Sequence, residues 1–169
     1  MQKAYKLNKL NNKAETLLFI KKKKFNVPDL LIFNCKNFLK NEIKIIKKIQ
    51  KKFKKKIAIR SSAKNEDGTK YSNAGKYLSY VNVDPKNTED LRKKILNVIK
   101  AYKNTNNIFF IQLMVKNIKL SGVVLTRDLN NYNPYLVVNY STGSDSTLVT
   151  SGKNKTKSIK YLPNKFYKT

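Results

Sequence analysis

From Asn107 onward almost every apolar stretch has the length and residue types of a strand, and this run narrows the available folds more than any other feature. "NIFFIQLMV", "LSGVVLTRD" and "PYLVVNYS" are short, rich in β-branched and aromatic residues, and bounded by Asn, Gly, Pro or Ser; "STLVT" and "SIKYL" are weaker segments of the same kind. Upstream the pattern is mixed. "NNKAETLLFIKKKKF" places Ala14, Leu17, Leu18 and Phe25 on one helical face, Val27 and Pro28 end that helix, and "DLLIFN" reads as a buried strand. Between Lys36 and Lys55 the residues Leu39, Ile43, Ile46, Ile49 and Phe53 recur at steps of three and four among lysines, which predicts one amphipathic helix with a solvated basic back. "KIAIRSS" and "KYLSYVNV" follow as strands. "TEDLRKKILNVIKAY" opens with acids and repeats Leu91, Ile95, Val98, Ile99 and Tyr102, a second amphipathic helix. Helices interleaved with strands, then strands alone, predict an α+β fold: an N-terminal helix and two amphipathic helices packed on a mixed, mostly antiparallel sheet. The 169 residues are expected to form one domain, with lobes at about 1–105 and 106–169.

Charge is the next constraint. Lys plus Arg number 37 against ten acids, a formal net charge of +27. Such an excess attracts polyanions, yet nearly all of it is lysine and only Arg60, Arg92 and Arg127 are arginine, the better bidentate reader of phosphates and guanines. The lysines read as composition spread over solvated faces, with nucleic-acid affinity as the competing reading and non-specific polyanion binding expected in either case. The chain has no histidine and one cysteine, Cys35. That excludes imidazole-based acid/base catalysis, imidazole or thiolate metal clusters and an internal disulfide within these residues. Cys35 reads as a small buried residue, and no metal site is expected. The apolar run "TLLFI" is too short to span a bilayer and precedes rather than follows its lysines, so a cytoplasmic protein is expected.

One loop carries chemistry in its residue types. In "RSSAKNEDGTKYSNAG" the small residues Ser72, Ala74 and Gly75 let backbone amides approach an anion closely, and Arg60 offers a fixed fork for phosphate oxygens. Glu66 and Asp67 read as a loop pair that satisfies local amides and lysines rather than a metal ligand set.

The same residues resemble a known family. "IAIRSSAKNED" followed by "SNAGKYLSYVNV" is similar to the ATP-binding motif of the pyruvate phosphate dikinase and phosphoenolpyruvate synthase family, whose N-terminal nucleotide domain is an ATP-grasp fold. The likeness continues in order through "NNKAETLLFIKKKKFNVPDLLIF", "IFFIQLMV" with "LSGVVLTRD", and "NYSTGSDSTLVTSGK", roughly residues 10 to 153. It implies a partial ATP-grasp domain that binds ATP with Mg²⁺. Arg60 and Lys13 would reach the nucleotide phosphates, and Ser72, Ala74 and Gly75 would cover them. Ser79 would supply a hydroxyl, while Gln112, Leu113, Met114 and Val115 would line the adenine pocket. No catalytic side chain is assigned. The resemblance also implies that the magnesium-holding carboxylates and a phosphohistidine domain lie outside these 169 residues, so that the chain is not catalytically complete alone. Phosphoryl transfer to a small acceptor or a carrier histidine would need a complementing ATP-grasp half or histidine domain. A non-enzymatic basic module that binds polyanions or a partner chain is the alternative. Asn11 and Asn12 stand where the family usually has glycines, and Ser144, Asp145 and Ser146 replace a commoner Gly-Leu-Gly-Glu type.

Overall fold

A computed structural model describes residues 12–62, 78–102, 105–143 and 156–162. Its elements run α1 (Lys13–Lys22), β1 (Leu30–Asn34), α2 (Cys35–Lys40), α3 (Glu42–Lys52), β2 (Ile57–Ser62), β3 (Ser79–Val83), α4 (Thr88–Lys100), β4 (Ile108–Leu113), β5 (Leu120–Leu125), β6 (Leu136–Thr142) and β7 (Lys157–Tyr161). The strands form two sheets, ordered β1-β4-β2-β3 and β5-β6-β7, in which all the described pairs are antiparallel. This is an α+β arrangement consistent with part of an ATP-grasp-like fold. The expected strand at "STLVT", together with Ser72, Ala74, Gly75, Glu66 and Asp67, lies outside the described residues.

The chain divides into two compact units, Met1–Met114 and Val115–Thr169. The division falls after β4 rather than near residue 105, because β4 is hydrogen-bonded between β1 and β2 at the centre of the first sheet.

In the first unit the period-two alternation of the strands sends side chains to two separate apolar clusters. Phe33, Ile57, Ile59, Val83, Phe109 and Ile111 meet the buried faces of α2, α3 and α4 on one side. Phe38 and Phe33 both pack on Phe109, with ring centroids 5.6 Å apart in each pair and the Phe38 contact edge-on. The opposite face carries Leu30 and Phe110 against Ala14 of α1, with Leu17, Val27, Ile32 and Ile108 at its margin. Leu91, Ile95, Val98 and Ile99 of α4 are buried as their spacing predicts, and Tyr102 is buried just beyond the helix.

Two helical expectations are corrected. The segment from Lys36 to Lys55 is not one helix but α2 and α3, broken at Asn41. The Asn41 backbone leaves the helical region (φ −135°, ψ 36°), and its side-chain amide donates to the carbonyl of Asn37 (3.3 Å) and to Asn37 Oδ1 (2.8 Å). An asparagine that bonds the preceding turn competes with helix continuation. The break changes the phase of the buried stripe: Phe38, Ile45, Ile46, Ile49 and Phe53 are inside, while Leu39 and Ile43 are 44% and 73% exposed. The N-terminal helix likewise stops at Lys22. Lys24 adopts a left-handed conformation (φ 64°), and the amides of Lys24 and Phe25 donate back to the carbonyls of Lys21 and Ile20. This Schellman-type end turns Phe25 out to 67% exposure, and Leu18 is also exposed.

The second unit is a thinner structure. Asp128, Val137 and Ser141 are its buried residues among those described, and Gly122 is required where β5 meets β6, because a Cβ there would sit 2.5 Å from the Asn139 carbonyl oxygen. Among the described residues no helix is long and apolar enough to cross a membrane.

Candidate nucleotide site

The site is built on the α1 side of the first sheet. β2 carries Ala58, Arg60 and Ser62 to that face and Ile57 and Ile59 to the other, so Arg60 stands outward between buried neighbours. Its register partners are Phe110 on β4 and Ser79 on β3. The pairing with Ser79 depends on an irregularity: Ile57 pairs with Val83 but Ile59 with Tyr80, so β3 accommodates one extra residue. Asn82 takes up the bulge with φ 57°, a conformation that asparagine tolerates better than most residues. Without it, Tyr80 would oppose Arg60 and the serine would fall on the other face.

The second wall is the start of α1. Asn12 is its N-cap, with Oδ1 accepting from the Glu15 amide at 3.0 Å, which makes Lys13 the first helical residue. Asn12 is itself buried. Ser62 is the neighbour that holds this cap: its hydroxyl donates to Asn12 Oδ1 (3.1 Å) and accepts from the Ala14 amide (3.0 Å). The Ser62 amide donates to the Tyr102 hydroxyl (2.7 Å), which donates in turn to the Ile108 carbonyl (2.7 Å).

Between these walls lies an open cavity of about 420 Å³ lined by Lys13, Thr16, Leu17, Arg60, Phe110 and Gln112. Two cations and no carboxylate line it. Among the described residues Arg60 has no acidic partner, whereas Arg92 is paired with Glu42 at 2.6 Å and Arg127 donates to the Tyr132 carbonyl at 3.1 Å. The aspartates that meet lysines do so elsewhere, in the pairs Lys21–Asp29, Lys56–Asp84, Lys94–Asp90 and Lys160–Asp128. Two cations lining one cavity set up a positive potential there that favours an anion. Leu17 and Phe110 add apolar surface beside the cations. The cavity therefore suits an organic anion with a flat or apolar portion.

Of the residues singled out in the sequence, Lys13, Arg60 and Gln112 come together in this cavity, and Ser79 shares the sheet face of Arg60 without lining it. Leu113 does not join them. It packs against the opposite, helix-covered core, as alternation from Gln112 requires. The amides of Leu113 and Met114 are already committed to the carbonyls of Asp29 (2.8 Å) and Lys56 (3.0 Å). Met114 is half-buried at the end of the first unit, and Val115 begins the second, 54% exposed. Thr16, Leu17 and Phe110 in the cavity, and Asn12 and Ser62 behind it, are not among the expected site residues: periodicity flags Leu17 only as part of an apolar helix face, and nothing in the residue types marks the others as parts of a site. Cys35 is fully buried, and that burial pushes its thiol up to about 11, which suits a packing residue and not a nucleophile.

Comparison with known families gives a match. A family model described as pyruvate phosphate dikinase, AMP/ATP-binding domain, matches residues 34–161, a span that contains Arg60, Ser79 and Gln112 and begins after Lys13. No individually curated protein matches the sequence. The match covers well over half of the chain: it belongs to the family of the pyruvate phosphate dikinase AMP/ATP-binding domain.

Proposed function

We propose that the chain binds ATP in the cavity between α1 and the first sheet, with Arg60 and Lys13 on the phosphates and the apolar wall of Leu17 and Phe110 beside the rest of the nucleotide. The observation that carries this reading is Arg60 itself: a guanidinium on a rigid strand, facing a cavity, with no carboxylate to neutralise it among the described residues. Family membership supports the ligand class, and the two cations beside an apolar wall support reading this cavity as its site. Ser72, Ala74 and Gly75 are proposed to cover the phosphates and Ser79 to offer a hydroxyl from the same face. Gln112 and Met114 are proposed to border the base, together with Val115 and the backbone of Leu113. The two units are read as parts of one ATP-grasp nucleotide domain.

The reaction served would be dikinase-type phosphoryl transfer, from ATP to a small acceptor or to a histidine. These 169 residues contain no histidine, so such a carrier would come from elsewhere. Magnesium does not fit the described residues in the same way as ATP. The cavity lining holds no carboxylate, and no group of three metal-ligating side chains occurs among the described residues. Ligands for the ion are proposed to lie outside them.

Calorimetric titration with ATP tests the assignment. Arg60→Ala is expected to lose about 1.5 to 3 kcal/mol of binding free energy, the scale of hydrogen bonds to a charged group. Equal binding by both proteins, weakened only by salt, would favour a second reading supported by the +27 charge: non-specific polyanion binding by exposed lysines such as Lys44, Lys47, Lys48 and Lys51 on α3.

A further inference from the structure

We infer that Ser62 is a positioning residue for the anion site: a single buried hydroxyl that fixes where Lys13 stands relative to Arg60. The inference rests on the nucleotide reading above and names the part of the fold that sets the spacing of its two cations.

The geometry is specific. Ser62 is fully buried and lies two residues beyond Arg60 on β2, so the two share a face of the sheet. Its Oγ touches α1 at the residues on either side of Lys13, donating to Asn12 Oδ1 at 3.1 Å and accepting from the Ala14 amide at 3.0 Å. These bonds span 50 and 48 residues of sequence, and the backbone of Lys13 lies between them. From behind, Tyr102 holds the Ser62 amide at 2.7 Å and is itself held by the Ile108 carbonyl on β4. The chain of contacts therefore runs from the centre of the sheet, through Ser62, to the first turn of α1.

The physical need for such a clamp is clear from the rest of α1. The helix has ten residues, and of these only Ala14 is fully buried, so apolar packing alone fixes its sheet-facing side weakly. Lys13 has a long, rotamer-rich side chain, and an anion gains most from it when the backbone that carries it is already in place. Asn12 accepts from both Ser62 and the Glu15 amide, so the bond that locates the helix also begins it.

A double-mutant cycle read by ATP titration tests the inference. Ser62→Ala is expected to weaken ATP binding about tenfold, the effect of one buried hydrogen-bond set, and Ser62→Thr, which keeps the hydroxyl, to recover most of it. In a Lys13→Ala background the Ser62→Ala loss should shrink to within about twofold, because there is no ammonium left to misplace. An equal loss in both backgrounds would overturn the inference in favour of general loosening, and so would full affinity in Ser62→Ala. If Ser62→Ala does not fold, as read by its thermal transition, Asn12→Ala breaks the same bond from the helix side and is held to the same cycle. Failure of the wild-type chain to bind ATP would remove the nucleotide reading and this inference with it. Wild-type binding with an unaffected Ser62 variant removes the inference alone.

Discussion

Arg60, Arg92 and Arg127 show how the same side chain serves different ends when its surroundings differ. Arg92 ties α4 to the first residue of α3 through Glu42, Arg127 closes a loop by bonding the Tyr132 carbonyl, and Arg60 faces a cavity. Aspartates follow a similar logic. Asp128 is buried in the second unit, where the Lys160 ammonium at 2.6 Å and then the Asn130 amide at 2.9 Å hold its carboxyl below the ordinary value of 3.8. Because the folded value is the lower one, the stabilisation is whole above the ordinary value and is lost as pH falls below it through the folded value. Urea midpoints measured from neutral pH downward should thus show the wild type above Asp128→Asn at neutral pH, with the gap closing in acid below about pH 4. A gap independent of pH would show that the ion pair is not its source.

At the scale of elements, the ends of helices decide more than their middles. Lys24 closes α1 with φ 64°, where a Cβ is unfavourable and glycine is not. Lys24→Gly should therefore stabilise the chain by about 0.5–1 kcal/mol, seen as a raised denaturation midpoint with unchanged slope; a lowered midpoint would mean that the Lys24 side chain matters more than its backbone. The same contrast separates what the sequence makes legible from what it does not. The α4 stripe, the apolar strands of the first sheet and the placing of Arg60 on a strand follow from local period and residue type, and all can be read from within a dozen residues; that the strand runs two residues past Arg60 to Ser62 cannot be read so. The break at Asn41 cannot, because an asparagine among lysines fits a helix interior or a cap equally well until its side chain is seen to bond Asn37. Leu113 shows a further limit: a motif groups four consecutive residues, yet strand alternation sends adjacent side chains to opposite faces. Ser62 and Asn12 show the last. Their partnership spans 50 residues, and neither residue's neighbours announce it.

At the scale of the whole molecule, charge and apolar surface are unevenly resolved. The first unit has two apolar clusters, one on each face of its sheet. In the second, Leu120, Val124, Ile159 and Tyr161 share one face of a three-stranded sheet by register, and each is about half exposed or more. The excess of lysine gives every anion some attraction for this protein, so affinity alone does not identify a nucleotide site. A charge-matched comparison does. ATP titrations at physiological ionic strength should be run on the wild type, on Arg60→Ala and on Lys47→Ala, the last removing one exposed cation from the outer face of α3. If the cavity is the site, Arg60→Ala loses about tenfold or more in affinity while Lys47→Ala stays within about twofold of wild type. Equal small losses in both variants would mean that ATP is held by the overall charge, and would contradict the assignment of Arg60 to the nucleotide phosphates.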